Sequence, residues 1–122
     1  MENEVRLLDE YYGFDDGVLK AFEYFFPKDG DCYVRIELYA QNYEVEGDVW
    51  RRVDIFVREV SDVRSTVIPT VIHSKIKLLR FNEGWCLEVN GDFGVEPASL
   101  SEVKRHSTCY VVGQSVEILE FK

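Results

Sequence analysis

The side chains in this sequence best able to do chemistry are carboxylates, with a few thiols and imidazoles beside them. Asp15 and Asp16 stand next to each other between Phe14 and Gly17, and adjacent carboxylates can ligate a divalent cation or face a basic protein. One pair supplies too few oxygens for a calcium loop, and the spaced acidic pattern of an EF-hand is absent. Asp in a loop more often solvates a turn or accepts backbone hydrogen bonds. His106 and Cys109 are two residues apart, and His73 is the only other histidine nearby in type. A nucleophilic cysteine needs a base and a third group that orients it, and zinc needs about four ligands. Neither set is visible, so Cys109 reads as a small buried hydrophobe. Asp92-Phe93-Gly94 copies the magnesium tripeptide of protein kinases, but the glycine-rich loop, the paired lysine and the catalytic loop that would accompany it are missing; it reads as a turn. No catalytic residue, no metal and no cofactor is expected. An enzyme or ligand-binding domain would have to gather polar groups from strand interiors into a pocket, for instance Glu23, His73 and Glu88.

Binding is the better-supported chemistry. The polar stretch 42–48 carries Glu44, Glu46 and Asp48 with Tyr43 among them and Trp50 just beyond. Together with Asp15 and Asp16 these carboxylates would complement a basic protein partner, with Tyr43 or Trp50 as apolar anchors. The overall balance points the same way. There are 23 acidic residues against 14 basic ones, a formal charge of -9. Such a surface repels phosphate backbones and anionic membrane faces, which argues against nucleic-acid and membrane binding. Its plainer consequence is solubility. A homodimer formed through exposed strand faces or an unprotected edge is a further alternative.

These groups must be positioned by strands. Residues 32–40 alternate, with Cys32, Val34, Ile36, Leu38 and Ala40 on one face and Tyr33, Arg35, Glu37 and Tyr39 on the other, which predicts a half-buried antiparallel strand. An apolar strand over 18–26 precedes it, joined by Pro27-Lys28-Asp29-Gly30-Asp31, whose Asp-Gly is a hairpin signal. Further strands are predicted over 50–60, with Val53, Ile55 and Val57 inward, and over 71–81, with Ile72, Ile76 and Leu78 sharing a face. Beyond the turn Asn82-Glu83-Gly84, Trp85, Leu87 and Val89 alternate, and 109–112 and 116–121 close the chain. Pro69 argues against a central strand in the irregular stretch 61–70. A short helix is predicted over 3–12, with Asn3 as N-cap, Val5, Leu8 and Tyr12 on one stripe, and Gly13 ending it. A second short helix is predicted over 100–106, with Ser99 as cap and Glu102 completing a capping box. Strands at this spacing, with few helices between, predict an α+β, mainly β fold of antiparallel sheets, sandwich-like or strongly bent. Its 122 residues suit one domain.

Tyr33, Tyr39, Trp50 and Phe56 fall largely opposite the regular core positions, where they would form either a recognition surface or a second buried face; burial is the preferred reading. Arg51, Arg52, Arg58 and Arg64 are expected to pair with local acids on a solvated face. Cys32, Cys86 and Cys109 are odd in number and form no CxxC pair, which fits a reducing compartment. The acidic start Met1-Glu2-Asn3-Glu4 lacks the apolar core of a signal peptide, and no apolar run approaches the ~20 residues of a membrane span. Cytoplasm is the expected location.

Phe14-Asp15-Asp16-Gly17, followed by an apolar strand, resembles the opening of a loose group of small β-rich bacterial domains with a Phe-His-Asp-Ala/Ser element. Trp50, Ile55-Phe56, Val60 and Arg64 are similar to that group's aromatic-and-valine third strand, and Asn82-Glu83-Gly84 and Cys109-Tyr110 are compatible with it. The group includes proteins thought to be immunity proteins of polymorphic toxin systems. Asp15 stands where the group has His and Gly17 where it has Ala or Ser, so no role tied to that histidine carries over. The resemblance implies a β-rich fold and non-catalytic protein binding.

Overall fold

The computed structural model describes residues 1–66, 70–72, 75–91 and 96–122; Pro69, His73 and the predicted turn at 92–94 lie outside them. Along the chain run helix α1 (Glu2–Glu10), strands β1 (Val18–Phe25), β2 (Tyr33–Gln41), β3 (Trp50–Arg58), β4 (Asp62–Ser65), β5 (Ile76–Phe81) and β6 (Gly84–Val89), helix α2 (Leu100–His106), and strands β7 (Cys109–Gly113) and β8 (Ser115–Phe121). They form two four-stranded sheets, ordered β1-β2-β3-β8 and β4-β7-β6-β5, with antiparallel neighbours throughout. The predicted α+β, mainly β architecture of packed antiparallel sheets is the one observed, and it does not close into a barrel.

Alternation builds the core. Val34, Ile36, Leu38 and Ala40 of β2 and Val53, Ile55 and Val57 of β3 are fully buried against Leu87, Val89, Cys109 and Val111 of the second sheet. Burying a Val, Leu or Ile side chain contributes about 1.5–3 kcal/mol, and these two central strands supply six such positions, with the smaller Ala40 beside them. The sheets are joined where two strands pass from one to the other. β3 continues into β4, and β7 into β8, across a corner where Glu59 turns left-handed (φ 51°). There Gln114 N–H donates to the Arg58 carbonyl and Ser61 N–H to the Val112 carbonyl, each at 2.9 Å. Gly113 is required at this corner, since a Cβ there would lie 2.5 Å from the Arg58 carbonyl oxygen.

The outer faces of the sheets differ. On the second sheet, Leu100 and Val103 of α2 cover Cys86, Tyr110 and Val112 in a second small core. The helix begins at the predicted Ser99 cap, whose hydroxyl accepts from the Glu102 N–H at 3.4 Å, but the Glu102 carboxylate accepts from the Ala98 N–H at 2.8 Å and does not close the predicted capping box on Ser99. Among the described residues nothing comparable covers the outer face of the first sheet. Tyr33, Tyr39, Trp50 and Phe56 therefore do not belong to a second buried layer, contrary to the preferred reading: Tyr39 is 43% and Trp50 37% exposed, with Tyr33 and Phe56 half-buried.

Four local expectations need correction. The buried stripe of α1 is Glu4 and Leu7, continued by Tyr11, while Val5 and Tyr12 face solvent. Both stripes satisfy helical spacing; what selects the observed one is the free edge of β8. Ile118 N–H donates to Glu4 Oε2 at 3.4 Å and Asn3 Nδ2 donates to the Ile118 carbonyl at 3.3 Å, so α1 shields that edge. Asn3 is thus inside the helix and not its N-cap, which is Met1. The stretch predicted as one strand over 71–81 is divided: residues 76–81 are β5, while Val71 bridges Val18 of the other sheet. Finally, Asp62–Ser65 forms the short strand β4 within a stretch expected to be irregular.

Candidate protein-binding surface

The predicted contacts sit at one end of the molecule, where α1 runs into β1 and the β2–β3 loop folds back. After α1 the backbone turns left-handed at Tyr12 (φ 52°), Gly13 (φ 64°), Phe14 (φ 60°) and Asp16 (φ 63°). For residues with a Cβ this conformation costs roughly 1–2 kcal/mol each, so the surroundings must enforce it. They do so by burial and hydrogen bonding. Phe14 is fully buried and stacks on Tyr11 at 5.1 Å, and Asp16 N–H donates to the Ile72 carbonyl at 2.8 Å. Gly13 is needed because the Lys75 side chain lies across it: a Cβ would fall 2.8 Å from Lys75 Cβ. The Lys75 ammonium then sits 3.8 Å from the centre of the Tyr12 ring, a cation–π contact.

The loop is held by Asn42, whose side chain is completely buried. Its N–H donates to the Val49 carbonyl at 2.9 Å, closing the loop. Its Oδ1 accepts from the Glu44 N–H at 2.9 Å, and its Nδ2 donates to Glu10 Oε1 at 3.0 Å and Glu120 Oε2 at 3.2 Å. Glu120 Oε2 also accepts from the Tyr11 hydroxyl at 2.5 Å and Arg51 Nη1 at 2.9 Å. Burial alone would raise the Glu120 pKa, but these donors outweigh it and hold the carboxyl below its ordinary range. Burial, and after it the bond to Glu120, pushes the Tyr11 phenol well above its usual value. This inward-facing polar node ties α1, the loop and the first sheet together.

The structure divides the predicted contact set. Asp15, Asp16 and Tyr43 come together, with Tyr12 added. The rings of Tyr12 and Tyr43 meet edge-to-face at 6.4 Å while remaining 56% and 47% exposed. Burial first, and then the negative fields of Asp16 and Asp15, raise the Tyr43 phenol above its ordinary pKa. Glu44 turns toward α1 and helps line a shallow depression of about 720 Å³ with Met1, Val5, Arg6 and Asp9. Glu46 is exposed on the loop, and Asp48 accepts from Gln41 Nε2 at 3.3 Å. Trp50 is not part of this cluster: it stacks on Tyr39 at 5.7 Å on the outer face of the first sheet. Tyr12 and Asp9 are the members that sequence reasoning missed. Their proximity to the Gly13 turn and to Asp15 was the available signal, but it was masked by placing Tyr12 on the buried stripe.

Two of the four arginines, Arg52 and Arg58, pair with acids on the outer face as expected, whereas Arg51 pairs within the inward-facing node. Arg51 pairs with Glu120, Arg52 with Asp54, and Arg58 with Glu117; Arg64 instead donates to the carbonyls of Lys104 and Ser107. Of the groups named for a pocket, His73 lies outside the described residues, and Glu23 and Glu88 do not converge. Glu23 pairs with Arg35 on the outer face of the first sheet, whereas Glu88 lies opposite Tyr110 on the second. His106 is exposed while Cys109 is buried, and burial pushes the Cys109 thiol up to about 11 and that of Cys86 to about 12. Neither thiol is ionised near neutral pH. Among the described residues no three His, Cys, Asp or Glu side chains are grouped to hold a metal ion, and no helix is long and apolar enough to cross a membrane. Compared with protein-family models, curated proteins and solved structures, the chain matches none.

Proposed function

We propose that this chain is a non-catalytic, cytoplasmic protein-binding domain, an immunity protein that neutralises a basic toxin domain through its acidic end. The observation that carries this reading is the exposed Tyr12–Tyr43 pair set among Asp15 and Asp16 on a backbone held left-handed. Aromatic side chains that are fixed in place yet open to solvent lose little freedom on binding and bury a large area. Surrounding carboxylates speed the encounter with a positive partner and orient it. Glu44, Glu46 and Asp48 extend the negative field along the loop, and the node around Asn42 and Glu120 keeps that loop in register with the turn. The immunity role rests on the resemblance at Phe14-Asp15-Asp16-Gly17 and its following strand.

Affinity capture from the native host tests this reading. The wild-type chain on a resin is expected to retain a basic protein at low salt, encoded beside it as a toxin. A variant with Asp15→Asn, Asp16→Asn and Tyr43→Ala is expected to release it. Retention unaffected by these substitutions, or no basic protein retained at low salt, would remove the proposal.

A further inference from the structure

The outer face of the first sheet invites a different partner. Its strands present two aromatic groups separated by charge. At one end Phe25 stacks on Tyr33 at 4.7 Å, with Phe56 beside them and the Arg58 guanidinium 5.1 Å from the Phe56 ring. At the other, Tyr39 stacks on Trp50 and the Arg52 guanidinium lies 4.7 Å over Phe121. Between them Arg35 binds Glu23, Glu37 and Asp54, and Arg52 also binds Asp54. Asp54 is nearly inaccessible beneath these two arginines. Tyr39, Trp50, Leu119 and Phe121 are all more than a third exposed.

Two physical features single out the occupant. The first is charge. Glu23, Glu37, Asp54 and Glu117 are met on this face by Arg35, Arg52 and Arg58, so it is nearly neutral in a chain carrying -9. A strongly basic partner finds little field here, whereas a second acidic molecule can approach with little local repulsion. The second feature is pattern. A two-fold axis lying in the plane of the face and across the strands sets one aromatic end of a protomer against the other aromatic end of its partner. The arginine–carboxylate centre then lies against itself, as an isologous interface requires. Four strands at about 4.8 Å spacing and some eight residues at about 3.3 Å rise span roughly 500 Å² per copy, so a pair buries about 1,000 Å², near the lower bound for a specific interface.

We infer that this face mediates reversible self-association of the chain into a face-to-face homodimer, separate from the acidic end. Sedimentation equilibrium of the full chain tests it, from about 1 µM to about 500 µM, a range suited to an interface of this size. The expected result is a shift from 14.3 kDa toward twice that mass with rising concentration. Association should tighten by about threefold or more between roughly 50 mM and 500 mM salt, because screening relieves repulsion between the two acidic bodies. Trp50→Glu with Phe121→Glu should leave a monomer throughout, with the circular dichroism of the wild type. In the wild type, concentration-dependent amide shifts should concentrate on β2, β3 and β8. A monomer at every concentration and salt, or a dimer that survives the double substitution or maps elsewhere, would overturn the inference. Neutralising Asp15 and Asp16 should leave the dimer intact, which keeps this test independent of partner capture.

Discussion

The two sheets resemble each other from inside and differ from outside. Both present alternate aliphatic side chains to a shared core. On the second sheet the intervening positions Cys86, Tyr110 and Val112 are apolar enough to require a cover, and α2 supplies it with Leu100 and Val103. On the first sheet the intervening positions are arginines, carboxylates and aromatic rings that satisfy one another in the plane of the sheet. A period of two thus specifies which face goes inward. Whether the opposite face needs a helix depends on the chemistry of the residues between.

The sharpest way to break this contrast is to place a charge on each outer face. Val103→Asp, on the buried side of α2 against the second sheet, is expected to destabilise the fold by more than about 3 kcal/mol, because the carboxylate has no partner there. Leu119→Asp, on the uncovered face, should cost less than about 1 kcal/mol. Urea denaturation of both variants measures the difference; equal losses would mean that both faces are covered in solution.

A smaller effect probes the ionic centre. Burial raises the Asp54 pKa, but Arg52 and Arg35 outweigh it and hold the carboxyl below its ordinary value. A carboxylate depressed in the folded state stabilises the fold above its unfolded pKa of about 3.9 and loses that contribution as pH falls through its folded value. Asp54→Asn should therefore cost about 1–2 kcal/mol at pH 7 and flatten the loss of stability on acidification below about pH 4. An acid-denaturation profile unchanged by the substitution would show that the arginines are satisfied without it.

The acidic end should respond in the opposite sense. Asp15→Asn, Asp16→Asn and Glu44→Gln remove like charges from a chain at -9, so stability should change by less than about 0.5 kcal/mol. Association with a basic partner should nevertheless slow by about tenfold at low salt. Stopped-flow association at two ionic strengths checks both the rate and its salt slope. The smallest expected effect is local and needs no partner: with Asp15 and Asp16 neutralised, the Tyr43 phenol should titrate closer to its ordinary pKa, read by NMR of its ring protons.

Much of this architecture was legible because β2 and β3 alternate without interruption, from Val34 to Ala40 and from Val53 to Val57. The hairpin at Asp29-Gly30 and the Ser99–Glu102 cap were equally readable, since both signals are local. What escaped depends on partners distant in sequence. Glu4 is buried because Ile118, 114 residues away, offers an unpaired amide. β4 is a strand because β7 runs beside it, despite its own weak pattern. Trp50 and Tyr43 are close along the chain, yet a single strand boundary sends them to different surfaces. The acidic residues of the site were visible by type; the turn that lifts Tyr12 beside Tyr43 was not, because nothing in Tyr-Gly-Phe announces a left-handed path for all three residues.

Binding at the acidic end is tested most sharply by NMR shift mapping of the isotope-labelled chain titrated with its captured basic partner. Perturbed amides are expected to cluster at residues 9–16 and 42–48, while 99–106 on the covered face remain unmoved. Perturbations confined to α2 and the second sheet, with Tyr12 and Tyr43 unaffected, would contradict it.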